Sequence, residues 1–302
     1  AIVSQESRRD NMLYVLEDIN DNISHSAEIR SVSEDASKPT RTFSVFMERK
    51  YNNIVVNIPN VRKPIPLFIV MRALGVISDK EIIETCLLDM EKYDDYIDYF
   101  IPCVHDAGMI FDKMSAIKFI STFTKYKSIP STIEILTNYL LPHIGEFNFT
   151  TKARYIGYMV KKLIMVYSKT EKPTNRDSYR YKRIEVSGKL IEQLFGEYYK
   201  LQIEHILKKM DTEYYFNISS YENTNFKDII LNNKELIFSE KIIERGFKKA
   251  FKGDWGSAAH TKRIGALQEM SRLSFFSTLC QLRKTNLPIS SQAAKIVGPR
   301  LL

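Results

Sequence analysis

The longest apolar run in the sequence, residues 65–77, is broken by Arg72 and falls short of the roughly 20 residues that a helix needs to cross a bilayer. It reads as an element of a globular core, and no membrane partner is expected. With 302 residues and 44% apolar side chains, the chain can build a sizeable core and allows two domains. Charged residues make up 26% and no low-complexity tract occurs, which excludes disorder as the global description. The first residues, AIVSQESRRD, hold neither a starting Met nor a basic-then-apolar leader, and the last, GPRLL, offer no obvious stop. The sequence therefore reads as a piece of a longer chain, truncated at both ends.

Three cysteines, Cys86, Cys103 and Cys280, make no disulfide framework and suit a reducing compartment. The histidines at 25, 105, 143, 205 and 260 are far apart and no CxxC pair exists, so a sequence-local zinc site is excluded. Phosphate-binding glycine loops, the H-E-x-x-H motif and the G-x-S-x-G motif are all missing. The adjacent carboxylates Asp94 and Asp95 would point about 100° apart on a helix, which suits solvation better than a cation. Self-contained catalysis is not expected.

Charge separates the halves. The net charge of +8 is the balance of −5 in residues 1–150 and +13 in residues 151–302. Acid gathers between residues 81 and 98, and base gathers at 152–183 and again from 241 onward. Such asymmetry points a polyanion at the second half, where planar Arg side chains suit phosphate. Solvated helix faces are the plainer alternative.

Local pattern places the elements. Residues 40–59 hold two β-rich runs around Asn52 and Asn53, a hairpin signal. Ser78 with Glu81 and Ser131 with Glu134 match the capping box at a helix start. Ile156, Met159, Val160, Leu163 and Tyr167 recur at helical spacing and leave Lys152, Lys161 and Lys162 on other faces. The polar stretch 169–183 reads as a boundary, and Leu190, Leu194, Tyr198 and Leu201 belong to a further core-facing helix. The small residues of GDWGSAAHTKRIG predict an exposed, poorly ordered loop. A helix over 266–282 would then bring Gln268, Arg272 and Arg283 towards one face.

Several strings, in order, resemble the second-largest (beta-type) subunit of multisubunit DNA-dependent RNA polymerases, in its eukaryotic and archaeal branch. They are IVSQES at 2–7, HSAEIRS at 25–31, IPLFIVMRALGVISDKEII at 65–83, PCVHDAGMI at 102–110, LLPHI at 140–144, YIGYMVKKLI at 155–164, NRDSYRYKRIEVSGKL at 175–190, DWG at 254–256 and RIGALQEMSRLSFFSTLCQLRKTNLPI at 263–289. The last is the most specific. The family usually has Asp before Arg176, Gly at 180 and Arg at 284, where this sequence has Asn175, Arg180 and Lys284. Lys284 keeps the charge and loses the planar fork. The Asn, Lys, Ile and Tyr bias suggests an AT-rich source such as a large DNA virus.

The resemblance implies an α+β fold: a helix-rich mixed lobe domain with a β-hairpin over 1–172, a helical protrusion segment over 173–240 and a fork segment over 241–302. It implies a scaffold of the transcribing nucleotidyltransferase, partnered by the largest subunit and the other polymerase subunits. The catalytic Mg2+ would be held by the largest subunit, and this fragment would be non-catalytic, in the nucleus, cytoplasm or virion. Template, downstream duplex and RNA–DNA hybrid are the expected nucleic-acid partners. Arg263, Gln268, Arg272, Arg283 and Lys284 would lie beside them, with Lys262, Lys248, Lys249 and Lys252 as phosphate contacts and Arg263 the principal charge of a fork loop. The alternative is a free-standing basic module that uses residues 152–183 to bind nucleic acid or an acidic protein.

Overall fold

Chain contacts divide the protein into two units, one Arg9–Tyr181 and the other Ala1–Arg8 with Lys182–Leu302. The computed structural model describes all residues except 18–19, 34–39, 177, 217, 219–225, 240, 259–260 and 288–302. The secondary structure mixes helices with antiparallel strands, as an α+β fold requires. Composition predicts a boundary at 172/173, whereas the contacts place it after Tyr181. Residues 174–181 still hold to the first unit: Thr174 N donates to Val15 O at 2.7 Å, Arg9 N to Tyr181 O at 2.9 Å, and Arg176 pairs with Glu28 at 3.7 Å. The strand β1 (Ser4–Arg8) goes to the other unit because its ladder partners are there.

The first unit begins with a five-stranded antiparallel meander of β2 (Leu13–Glu17), β3 (Ile23–Ser31), β4 (Arg41–Glu48), β5 (Ile54–Asn57) and β6 (Ile65–Pro66). The expected hairpin is β4–β5, with Val45 opposite Val56 and its turn at Asn52 in the left-handed region that Asn tolerates. Alternation buries Phe43, Val45 and Met47 on one face of β4. The preceding β2 and β3 are hidden in the sequence because Ser24, Ser26 and Ser31 occupy buried positions of β3. Ser24 Oγ meets that cost by donating to Met47 O at 3.1 Å.

Helices then cover the sheet. Every residue of α1 (Leu67–Leu74) is buried, so this helix is apolar all round and sits in the centre. It stops at Gly75, whose φ of 108° is left-handed and whose N–H, with that of Val76, satisfies the last carbonyls of the helix. The single break in its apolar run, Arg72, is also buried. Its guanidinium donates to the carbonyls of Ile77 and Ile110 and to Asp79 Oδ1, and lies 5.2 Å from the centre of the Phe111 ring. Thus Arg72 fastens α1 to the start of α2 (Asp79–Leu87).

Around them lie α3 (Ile101–Ala107), α4 (Lys113–Thr122), α5 (Ile129–Glu134) and α6 (Phe149–Tyr167). Ser78 is the N-cap of α2 as expected, but its hydroxyl accepts no cap hydrogen bond. Ser131 is no cap at all. The α5 N-cap is Ser128, because Pro130 in the first turn suits a helix that has already begun.

A π-helical turn, Ile135–Tyr139, follows α5 and aims its carbonyls at α6. There Lys152, which the periodicity placed on an outer face, is 0% exposed. Its ammonium donates to Leu136 O (2.9 Å), Thr137 O (2.7 Å) and Glu146 O (3.2 Å), so three carbonyls replace its water shell. Burial and the Lys152 charge push the neighbouring His143 imidazole down from its ordinary pKa. Burial likewise raises the thiols of Cys86 and Cys103, the latter to about 12, so both behave as core hydrophobes.

In the second unit β1 lies between β7 (Lys182–Glu185), antiparallel to it, and β8 (Thr285–Asn286), parallel to it. The 30-residue α7 (Ser187–Phe216) is followed by α8 (Phe226–Asn232), α9 (Lys234–Ile237), α10 (Ile242–Ala250) and α11 (Phe275–Arg283). The helix expected over 266–282 starts only at Phe275, capped by the Ser274 hydroxyl. Residues 266–268 are extended instead, because Val3 N donates to Ala266 O and Gln268 N to Ala1 O, which spends those groups on a strand-like pairing.

Two glycines test this packing. A Cβ on Gly157 in α6 would lie 2.5 Å from Thr85 O on α2, whereas a Cβ on Gly196 in α7 would meet nothing within 4 Å. Urea unfolding should show Gly157→Ala destabilised by roughly 1–3 kcal/mol through overpacking, and Gly196→Ala stabilised by about 0.5–1 kcal/mol through helix propensity.

Candidate nucleic-acid interface

The basic end of the sequence is organised by one face of α7. Leu190, Leu194 and Tyr198 are buried there with Ala250, Trp255 and Ala266. The close approach of α10 needs Gly246, where a Cβ would fall 2.5 Å from the Tyr198 ring. This stripe leaves Gln193 and Glu197 beside it, one helical turn apart, facing the loop that runs from Asp254 to Gly265.

That loop is anchored, against the expectation of poor order. Trp255 is buried, and Glu197 Oε1 accepts from Ser257 N, Ser257 Oγ, Ala258 N and Thr261 Oγ1. One carboxylate thus replaces the apolar area that the small residues cannot supply. Burial alone would push the Glu197 carboxyl up, but these hydrogen bonds outweigh it and hold its pKa below the usual range. Ala259 and His260, part of the expected loop, lie outside the described residues, as do the chain's last residues 288–302.

The nine expected contact residues fall into two groups. Lys248 pairs with Glu244 at 2.6 Å, Lys249 with Asp254 at 3.2 Å, and Lys262 also with Asp254. Hydrogen bonds from Lys262 and then Lys249 hold the Asp254 carboxyl below its ordinary pKa. Arg263 lies 3.1 Å from Glu185 Oε2 and 3.4 Å from Gln193 Oε1, and it lines the junction of β7, α7 and the loop. Gln268 donates to Gly265 O and receives Lys284 at 3.5 Å.

Lys252, Arg272 and Arg283 are exposed and form no ion pair among the described residues. Because 266–274 is not helical, Gln268, Arg272 and Arg283 do not share the expected helix face. Gln281 orders this segment instead: its side chain accepts from Ser271 N at 2.8 Å and donates to Glu269 O at 2.6 Å. Glu185, Glu197 and Asp254 were not legible as site residues, since only the fold sets them opposite these donors.

The stretch 152–183 supplies fewer outward charges than its composition promises. Besides Lys152, Lys161 donates to Leu87 O at 3.2 Å, Lys162 pairs with Glu171 at 2.6 Å, and Lys182 pairs with Glu6 at 2.5 Å. No group of three or more His, Cys, Asp or Glu side chains suited to a metal ion forms among the described residues. No helix among them is long and apolar enough to cross a membrane.

Comparison with known proteins adds a second line. The family described as RNA polymerase Rpb2, domain 2, matches residues 8–185. Over its whole length the chain is 33% identical to the DNA-directed RNA polymerase II subunit RPB2 of Encephalitozoon cuniculi and covers 26% of that protein. It is 30% identical to the RPB2 of Schizosaccharomyces pombe, again over its whole length and 25% of that protein. It is 27% identical over 86% of its length to DNA-directed RNA polymerase subunit 2 of Acanthamoeba polyphaga mimivirus, 23% of which is covered. The chain spans about a quarter of the length of these relatives.

The Glu197 clamp predicts a pH dependence. A carboxyl held below its unfolded value of about 4.3 contributes stability that is present above that value and is lost as pH falls through the folded one. Glu197→Ala should cost about 2 kcal/mol at pH 7 and much less at pH 3, with faster hydrogen exchange at Ser257 and Ala258. Equal cost at both pH values would contradict the charged clamp.

Proposed function

The chain belongs to the RNA polymerase Rpb2 family, and from that premise we propose that it is a lobe, protrusion and fork portion of the second-largest subunit of a DNA-directed RNA polymerase. In that setting it scaffolds the active-centre cleft and touches downstream DNA, template and RNA–DNA hybrid. The observation that carries the nucleic-acid part is the pair Arg272 and Arg283, exposed around α11 and without a carboxylate partner among the described residues. Planar guanidinium groups left free in this way suit phosphate oxygens. Lys252 and Lys284 join them as direct contacts. Lys248, Lys249, Lys262, Arg263 and Gln268, already engaged within the unit, shape the loop beside the strand.

Exposed apolar side chains favour a place within a larger enzyme. Leu273 is 97% exposed, Phe275 76% and Phe276 75%, an apolar surface that a free-standing protein would rarely leave in water. The relatives' length supplies the chain to cover it. A separate basic module built on 152–183 would work with about half of its charge, because Lys152, Lys161, Lys162, Arg176 and Lys182 are engaged within their own units while Arg154, Lys169, Lys172, Arg180 and Arg183 stay exposed. The described residues do not fit the polymerase's catalytic magnesium, for want of a grouped carboxylate set, and we assign that ion to the largest subunit.

A polymerase carrying Arg272→Ala should elongate more slowly than the parent, most clearly at low salt where the lost phosphate contact is least screened, with melting unchanged to within about 0.5 kcal/mol, since an exposed cation without a partner does little for the fold. Arg263→Ala should lower stability by about 1 kcal/mol through the lost Glu185 pair. Normal elongation by the Arg272 variant at every salt concentration would overturn the contact assignment.

A further inference from the structure

The acidic half of the sequence hides a cationic edge. Between Glu48 and Asp79 no Asp or Glu occurs, and none occurs between Asp112 and Glu134. The first unit brings these two acid-free runs side by side. Val61 bridges Thr124 in antiparallel sense, and Arg62 N donates to Phe123 O at 3.1 Å. Arg62 and Lys63 therefore stand next to Lys125 and Lys127, all four exposed and without an ion pair among the described residues. Lys63 Nζ lies 5.8 Å from the centre of the Phe123 ring and Lys125 Nζ 5.3 Å from that of Tyr126, which is itself 70% exposed. Aromatic faces hold the two ammonium groups outward without neutralising them.

We infer that this edge of the first unit, formed by Arg62, Lys63, Lys125 and Lys127, is a second contact surface for the phosphate backbone of nucleic acid. Two features favour a polyphosphate over an acidic protein. An exposed pair between a lysine and a protein carboxylate contributes little, and the aromatic rings at this edge, Phe123 and Tyr126, already lie against Lys63 and Lys125. A duplex instead presents a charge about every 1.7 Å, and each phosphate neutralised releases condensed counterions, so even scattered lysines add affinity. Against carboxylates these four side chains would be weak, whereas against phosphates they act together. The inference does not rest on the Rpb2 assignment or on Arg272 and Arg283, which belong to the other unit.

The test is binding of the 302-residue chain to a fluorescent 30-base-pair duplex across a salt series, with a variant carrying Arg62→Gln, Lys63→Gln, Lys125→Gln and Lys127→Gln. All four positions are exposed, so the variant should melt with the parent. Its affinity at low salt should fall at least tenfold, and the slope of log affinity against log salt should drop by about 0.9 for each phosphate contact removed. A parallel variant with Lys248, Lys249 and Lys252 changed to Gln separates this edge from the second unit. Unchanged affinity and slope in the fourfold variant would overturn the inference. So would retained duplex binding with lost binding to poly-L-glutamate, which would give the edge to an acidic protein.

Discussion

Taking an ammonium group out of water costs several kcal/mol unless every proton finds an acceptor, and the first unit is arranged around meeting that cost at Lys152. The π-helical turn Ile135–Tyr139 and the carbonyl of Glu146 exist in the right place only when α5 and α6 are docked, so the lysine reports and enforces that docking. Arg72 plays the same part for α1. Its guanidinium ties α1 to Ile77, Asp79 and Ile110, segments that carry little apolar area of their own. Removing either cation would strand buried acceptors, which costs more than the contact itself contributes.

The same constraint decides which charges face outward. A cation that pairs inside the fold is not available to a polyanion, and part of each basic stretch is drawn inward. Lys161 caps the end of α2, Lys162 holds Glu171, and Arg263 closes on Glu185. Among the cations left exposed and without an ion pair among the described residues, some lie where the composition is acidic, at residues 62–63 and 125–127, some on and beside α11, and others at Arg154, Lys169, Lys172 and Arg183. Net charge per segment is therefore a poor guide to the electrostatic surface, whereas the count of unpaired cations is a direct one.

Much of the architecture was legible because it is local. The β4–β5 hairpin, the periodic helix α6, the core stripe of α7 and the ordered family strings each depend on residues close together in sequence. The rest was hidden for physical reasons. Buried serines broke the alternation of β3, and Pro130 shifted the start of α5 away from Ser131. The extended pairing of 266–268 with the first residues of the chain cannot be read from either segment alone, so the helix over 266–282 was overextended. At the candidate interface the residue types were visible and their partners were not. Glu197 lies some sixty residues from the loop it holds, and nothing near 254–265 announces it.

Burial and pairing, more than composition, set which lysines are available. Amine acylation of the folded chain at neutral pH, followed lysine by lysine by peptide mass spectrometry, tests it most directly. Lys63, Lys125, Lys127 and Lys252 should react first, Lys161 and Lys162 more slowly, and Lys152 only once the chain is unfolded. Reaction of Lys152 at the rate of Lys63 in the folded protein would show that its ammonium is not buried among the carbonyls of Leu136, Thr137 and Glu146.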